Sequence, residues 1–217
     1  MEKLAKLLRL GKAEEAEKEV KSLLEKGAKP TTIINYLSKE LQKIGEEYER
    51  GEIFLTDLIA AGHVMDTITR ELTPHIEKET EDTTLKATVV LGTVEGDIHD
   101  IGIRIIEAML RAAGFKVVNI GKDKPPKEFV KAALEHKAQI IGVSALLTTT
   151  MPKQKEVIEE LKKAGIRSKV KVIVGGAPVT EQWAKQIGAD AYAENATQAV
   201  QKAKQLLKQL QQEQNST

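Results

Sequence analysis

Asp97 and His99 stand two residues apart in the stretch GTVEGDIHDIG, and Gly102 follows three residues later. A carboxylate so placed can accept the Nδ1 proton of the imidazole, fix its tautomer and leave Nε2 free to ligate a metal. The pattern Asp-x-His-x-x-Gly is short, and average residue usage produces it in roughly one chain in a hundred of this size. Two further stretches stand out. SALLTTT starts at Ser144 and GGAP at Gly175. Gly102 and Ser144 are separated by 41 residues, Leu146 and Gly175 by 28.

The elements around these stretches place them on one rim. From Lys86 onward, short apolar runs alternate with amphipathic segments. The runs predict strands at Ala87–Gly92, Lys116–Ile120, Ile140–Ser144, Val170–Val174 and Ala191–Ala193. The segments between them predict helices near 101–113, 126–137, 152–164 and 180–187, with a last helix carrying Ala196, Ala199, Val200, Ala203, Leu206, Leu207 and Leu210. Strands alternating with helices imply an α/β domain: a flavodoxin-like (Rossmann-type), doubly wound, five-stranded parallel sheet. Ligands of such sheets sit outside the carboxyl ends of the strands, where all three stretches fall.

The first part of the chain reads differently. Ala13, Ala16, Val20, Leu23 and Leu24 form one apolar stripe, ended by Gly27. After Pro30, residues Ile34, Leu37, Leu41, Ile44 and Tyr48 repeat at steps of three and four, until Gly51. Thr56 is placed to cap a further helix with the stripe Leu58, Met65, Ile68 and Leu72. Short connections imply antiparallel neighbours, so residues 1–80 are expected to form a four-helix bundle. The polar stretch IEKETEDTTL, Ile76–Leu85, reads as a linker. The expected domains are 1–80 and 86–210, followed by a polar, disordered tail at 211–217.

Composition narrows the function classes. With no Cys, the chain has no disulfide, thiolate zinc site, iron–sulfur cluster or cysteine nucleophile. The formal net charge is +1, with no Lys/Arg block, so no nucleic-acid partner is expected. No apolar run is long enough to span a membrane, and Lys3, Lys6 and Arg9 interrupt the first apolar stretch. A cytoplasmic location and no membrane partner are the expectations.

With Asp97-x-His99-x-x-Gly102, then Ser144-x-Leu146, then Gly175-Gly176 at these spacings, the sequence resembles the cobalamin-binding domain family. The first half resembles the bundle that precedes this domain in methionine synthase and in corrinoid proteins of methanol, methylamine and aryl-ether methyltransferase systems. YERGEIFLTDLIAAGHVM, from Tyr48, is similar to the segment that caps the upper face of the corrin. DAYAENA, residues 190–196, resembles a wall of the nucleotide-tail pocket. The resemblance implies a cobalamin or related corrinoid, in its methylcobalamin form during turnover. It implies His99 as the lower axial cobalt ligand, with Asp97 and Ser144 as its hydrogen-bond relay. Asp100, Ile101, Gly102, Leu146, Thr148, Gly175, Gly176, Tyr192 and Ala193 fall at cofactor-binding positions. Tyr48, Leu55 and Leu58 fall in the cap, Tyr48 standing where a related protein has Phe.

The resemblance further implies a carrier without catalysis of its own. One partner, a methyl-donor-specific methyltransferase, would load it, an acceptor methyltransferase of folate or thiol type would unload it, and a reductive activator would rescue oxidised cobalt. The chain is too short to add a barrel domain and lacks the cysteines of a zinc–thiolate centre. The alternative is the cobalamin subunit of an adenosylcobalamin-dependent mutase, against which the capping bundle argues. A B12-dependent regulator would need an output module, and a cobalt-free flavodoxin-like module is a further alternative. Taken singly, Gly175–Gly176 also fits a tight turn, Ser144 a strand end, and Tyr48, Leu55 and Leu58 a bundle core. His63, His75, His136 and Trp183 read as structural.

Overall fold

The structure, a computed structural model, describes residues 1–78 and 87–215. The chain divides into two compact units, Met1–Glu79 and Thr80–Thr217.

The first unit holds four helices among the described residues: α1 (Glu2–Arg9), α2 (Ala13–Glu25), α3 (Pro30–Glu49) and α4 (Leu55–Lys78). Their apolar stripes meet in a core of Leu4, Leu8, Ala16, Val20, Ile34, Leu37, Ile44, Met65, Ile68 and Leu72, each at most 2% exposed. The α3 helix stops where the sequence breaks. Gly51 N–H donates to Tyr48 O and Glu52 N–H to Glu47 O, the paired hydrogen bonds that close a helix end. The start of α4 differs from expectation. Phe54 N–H donates to Asp57 Oδ2 at 2.9 Å, so the carboxylate in the first turn, not Thr56, satisfies the leading amide. The helix continues to Lys78, and the rest of the expected linker, from residue 79, lies outside the described residues.

The second unit is an all-parallel sheet of β1 (Thr88–Thr93), β2 (Lys116–Asn119), β3 (Ile140–Ser144), β4 (Lys171–Gly175) and β5 (Ala191–Tyr192), in the order β2-β1-β3-β4-β5. The helices are α5 (Ile101–Ala112), α6 (Pro126–Glu135), α7 (Pro152–Lys163), α8 (Glu181–Ile187) and α9 (Ala196–Asn215). Strands buried on both faces read as unbroken Val/Ile runs, which is why the sequence showed them. One face packs Val90, Ile141, Val143, Val172 and Val174 against α6, α7 and α8 through Phe129, Val157, Leu161 and Ile187. The other packs Val89, Leu91, Ile140 and Ile173 against α5 and α9 through Ile103, Leu110, Ala203 and Leu207. The α9 helix runs past Leu210, where its apolar stripe ends, so the tail expected to be disordered is helical to Asn215. Gln and Glu are good helix formers, and Glu213 there accepts from Lys171 Nζ at 2.8 Å.

This strand order turns the chain in opposite directions from β1 and β3. Their carboxyl ends therefore flank the switch point at which doubly wound sheets bind ligands. In register, Thr93 pairs with Ser144 and Ser144 with Gly175.

Candidate functional site

The β1 exit is tied to β3 first, where Val94 N–H donates to Ser144 O at 3.0 Å. The loop then buries Asp97 completely. Asp97 Oδ1 accepts from His99 Nδ1 at 2.7 Å and from His99 N–H at 3.0 Å. Its other oxygen accepts from Leu146 N–H and, at 3.3 Å, from Thr150 Oγ1. Burial pushes the Asp97 carboxyl up. The hydrogen bonds from the His99 ring and from the Leu146 and His99 amides outweigh it and hold the pKa below the ordinary carboxylate value. An ionised Asp97 can only accept, so Nδ1 carries a proton, and in the neutral imidazole Nε2 keeps its lone pair. The His99 side chain is 46% exposed, open to a large ligand.

Around His99 the rim is apolar. Ile98 is 64% exposed, Leu146 38% and Leu147 39%. Exposed apolar groups beside one polar donor suit a flat apolar ligand that is held by one directional bond. Thr148 is exposed, and Asp100 and Ile101 are half-buried at the start of α5. At Gly102 nothing lies within 4 Å of where a Cβ would stand, so the space beside it is open.

The glycine pair has a reason within the fold itself. A Cβ on Gly176 would stand 1.8 Å from Ala145 O, at a φ of +125° that only glycine adopts readily. One on Gly175 would stand 2.8 Å from Ala193 O. The pair thus lets the β4 exit pass against the backbones leaving β3 and β5. Tyr192 is half-buried, and burial, with Glu194 nearby, pushes its phenol up. Ala193 is buried and donates its N–H to Val174 O at 3.0 Å.

The structure thus brings Asp97, His99, Leu146, Gly175 and Gly176 to one rim. It corrects one assignment: the hydroxyl that reaches Asp97 belongs to Thr150, not Ser144. Ser144 ends β3 in the alternation of Ile140 and Gly142, which faces α5 and α9. Thr150 precedes α7, and its turn points the hydroxyl back at the buried carboxylate. The run of three threonines carried no periodicity to single it out. Gln154 was also missed. Fully buried, it donates from Nε2 to Val143 O at 2.9 Å and to Gly175 O at 3.0 Å, and accepts from Trp183 Nε1 at 3.0 Å. It ties the β3 and β4 exits to α7 and α8, with Trp183 in the packing role that the sequence suggests.

Tyr48, Leu55 and Leu58 belong to the first unit. Tyr48 is 38% and Leu55 52% exposed, and Leu58 is half-buried. With Phe54 at 80% and Ile59 at 62%, Tyr48 and Leu55 are exposed apolar side chains at the α3–α4 turn rather than bundle core. Phe54 and Ile59 were not singled out from sequence because they fall off the helical stripe.

Among the described residues no group of three or more His, Cys, Asp or Glu could hold a bare metal ion. One imidazole suffices where a macrocycle supplies the metal's other donors. The single backed His99, its apolar rim and the open space at Gly102 fit such a group.

Fold and site together define an α/β cofactor-binding protein with its donor at the sheet's switch point. The comparisons with known proteins are specific about the class. The B12 binding domain family matches residues 87–201, and a second family of the same description matches residues 1–73. Trimethylamine corrinoid protein 1 of Methanosarcina acetivorans is 51% identical over 167 residues, 77% of each chain. The monomethylamine corrinoid protein of Methanosarcina barkeri superposes with a TM-score of 0.85 at 36% identity, covering 93% of this chain and 95% of that one. A chain of the methanol:cobalamin methyltransferase complex of the same organism matches with a TM-score of 0.53 at 30% identity, over 94% of this chain and 77% of that one. This chain belongs to the B12-binding corrinoid proteins, and its cofactor is a cobalamin or related corrinoid. The mutase alternative is not favoured by these relatives. No described helix is long and apolar enough to cross a membrane.

Proposed function

We propose that this chain is the methyl-carrying corrinoid protein of a methylamine-type methyltransferase system, with His99 as lower axial ligand. The observation that carries the reading is the 2.7 Å contact of His99 Nδ1 with the buried Asp97 carboxylate, which commits one ring nitrogen and leaves Nε2 to ligate. When bound, the corrinoid supplies a reduced cobalt that takes a methyl group, as a CH3+ equivalent, from the donor's nitrogen and yields it to an acceptor.

The residues of this chain set the conditions. Asp97 gives the imidazole anionic character, and the Leu146 amide and Thr150 hydroxyl draw part of that charge away, so the balance tunes the ligand's donor strength. Ile98 and Leu147 would contact the ring. Gly102, Leu146, Thr148, Gly175, Gly176 and Tyr192 would line the path of the nucleotide tail, with Asp100, Ile101, Ser144 and Ala193 beside them. Tyr48, Leu55 and Leu58, with Phe54 and Ile59, would keep water from the reduced metal.

The relatives carry trimethylamine and monomethylamine in their names, which supports a methylamine as the donor. A donor-specific methyltransferase would load the carrier, and a thiol- or folate-type methyltransferase would unload it, with a reductive activator for oxidised cobalt. The test is to reconstitute the chain with cobalamin, reduce it, and add a methylamine:corrinoid methyltransferase with each of the three methylamines. Conversion of the reduced to the methylated visible spectrum with one amine is expected. Binding of cobalamin without methylation by any of them would overturn the donor assignment.

A further inference from the structure

Thr93 is fully buried at the end of β1, and its hydroxyl lies outside the Asp97 carboxylate network. Thr93 Oγ1 donates to the Asp97 main-chain carbonyl at 2.6 Å and accepts from Asp123 N–H at 3.1 Å. The turn after β2 also meets the main chain of this residue. Thr93 N–H donates to Gly121 O at 3.1 Å, and Lys124 N–H donates to Thr93 O at 3.0 Å.

Asp123 reaches the same loop at two more points. Its N–H also donates to Asp97 O at 2.9 Å, and its Oδ1 accepts from Gly96 N–H at 2.7 Å. It does so at a φ of +56°, a left-handed conformation uncommon outside glycine and costing about 1 kcal/mol or more. That conformation aims the amide of one residue at Asp97 O and Thr93 Oγ1 and its carboxylate at Gly96 N–H. Gly96, which meets that carboxylate, has a φ of +83°.

Asp97 is therefore held twice. The β3 exit holds its carboxylate through Leu146 and Thr150, and the β2 exit holds its main chain through Thr93 and Asp123. A carboxylate fixed at one end only can swing about its Cα. Fixed at both, it presents the imidazole along one direction, and displacements near 1 Å are costly for a directional bond.

We propose that Thr93 and Asp123 are positioning residues for His99: the turn after β2 sets the angle at which the Asp97-backed imidazole is offered to the cofactor. The proposal rests on the reading of His99 as the lower ligand. It adds a second support that enters from β2 rather than from the carboxylate relay.

The test uses the full chain reconstituted with cobalamin, as wild type and as Thr93→Val, Asp123→Gly and Asp123→Asn. Thr93→Val keeps the shape and removes the hydroxyl. Asp123→Gly keeps the backbone hydrogen bonds and the left-handed conformation but releases Gly96. Asn tolerates that conformation and can still accept from Gly96. The Co(II) form is read by electron paramagnetic resonance for nitrogen splitting from a protein imidazole, and the Co(II)/Co(I) midpoint is measured alongside. In wild type the splitting is expected. The ratio of His-ligated to unligated cobalt should fall about tenfold in Thr93→Val and Asp123→Gly, the size of effect typical of groups that orient a ligand, with a moved midpoint. Asp123→Asn should stay near wild type. A wild type without the splitting overturns the ligand reading and the clamp's role with it. Splitting in wild type with ratio and midpoint unchanged in Asp123→Gly and Thr93→Val overturns the clamp alone. Equal losses in Asp123→Asn and Asp123→Gly overturn the role given to the Gly96 hydrogen bond. Asp123 is exposed, so its variants decide the matter even where Thr93→Val fails to fold.

Discussion

Thr150 Oγ1 lies 3.3 Å from Asp97 Oδ2, joining the start of α7 to a carboxylate 53 residues earlier, behind the candidate cobalt ligand. Its 2.7 Å neighbour on the other oxygen is the His99 ring. The carboxylate is thus shared between an imidazole and a hydroxyl, and either one changes what the other receives.

Thr150→Val should therefore move the Co(II)/Co(I) midpoint of the holoprotein, while Ser144→Ala, which removes a hydroxyl that makes no hydrogen bond to Asp97, should leave it in place. The loss of one hydroxyl from a charged acceptor costs about 1–2 kcal/mol of stability, since Leu146 N–H and both His99 donors remain. Redox titration of both variants decides the matter. A shift in Ser144→Ala with none in Thr150→Val would return the relay to the serine.

His99→Ala should remove the nitrogen splitting from the Co(II) spectrum and weaken corrinoid binding about 10–100-fold. Asp97→Asn should bind better than His99→Ala, because an amide still offers an oxygen to the imidazole proton. The carboxylate's charge is lost, so the midpoint should differ from wild type. Identical midpoints would remove Asp97 from any tuning role. An unchanged Co(II) spectrum in His99→Ala would remove the axial assignment.

The two classes of glycine at the rim should respond in opposite ways. Gly176→Ala meets Ala145 O at 1.8 Å and a φ of +125°, so it should destabilise the apoprotein by about 2–4 kcal/mol in urea unfolding. Gly102→Ala meets nothing within 4 Å and lies in a helix, where Ala is better than Gly by about 0.5–1 kcal/mol. It should leave the apoprotein as stable or more so and still weaken corrinoid binding, because its methyl enters the open space the tail would use. Undiminished binding in Gly102→Ala would place the tail elsewhere.

The sheet was legible because its strands are buried on both faces and its helices carry apolar stripes, so an unbroken apolar run located β3 at Ile140–Ser144. Asp97 and His99 were legible because their interaction is local. What the sequence hid was long-range. Thr150 reaches back 53 residues, Asp123 lies 27 from Gly96, and Gln154 bridges two strand exits. None has a local pattern, since each is fixed by where the chain returns after a crossover. Thr56 failed as a cap because Asp57, one residue on, offers a charged acceptor to the same end of the helix. The helix beyond Leu210 was hidden because a polar, solvated helix has no stripe to read.

The exposed apolar side chains at the α3–α4 turn offer a last test that separates cap from core. Leu55 is 52% exposed and Phe54 80%, whereas Ile68 in the same helix α4 is fully buried. A core residue truncated to Ala costs about 2–5 kcal/mol through lost burial and the cavity left behind. A surface residue changed to a polar one stays within about 0.5 kcal/mol. Leu55→Ser and Phe54→Ser should therefore leave the urea midpoint of the apoprotein nearly unchanged, and Ile68→Ala should lower it clearly. In the holoprotein the order should invert for a different observable. A lid of apolar side chains excludes water from a reduced metal, so Leu55→Ser and Phe54→Ser should speed reoxidation of the reduced cobalt severalfold. Ile68→Ala should change that rate only as far as it unfolds the bundle. Reoxidation at the wild-type rate in Leu55→Ser, with its urea midpoint intact, would leave these side chains as surface without a role over the cofactor. A urea midpoint lowered as far as that of Ile68→Ala would make Leu55 core after all.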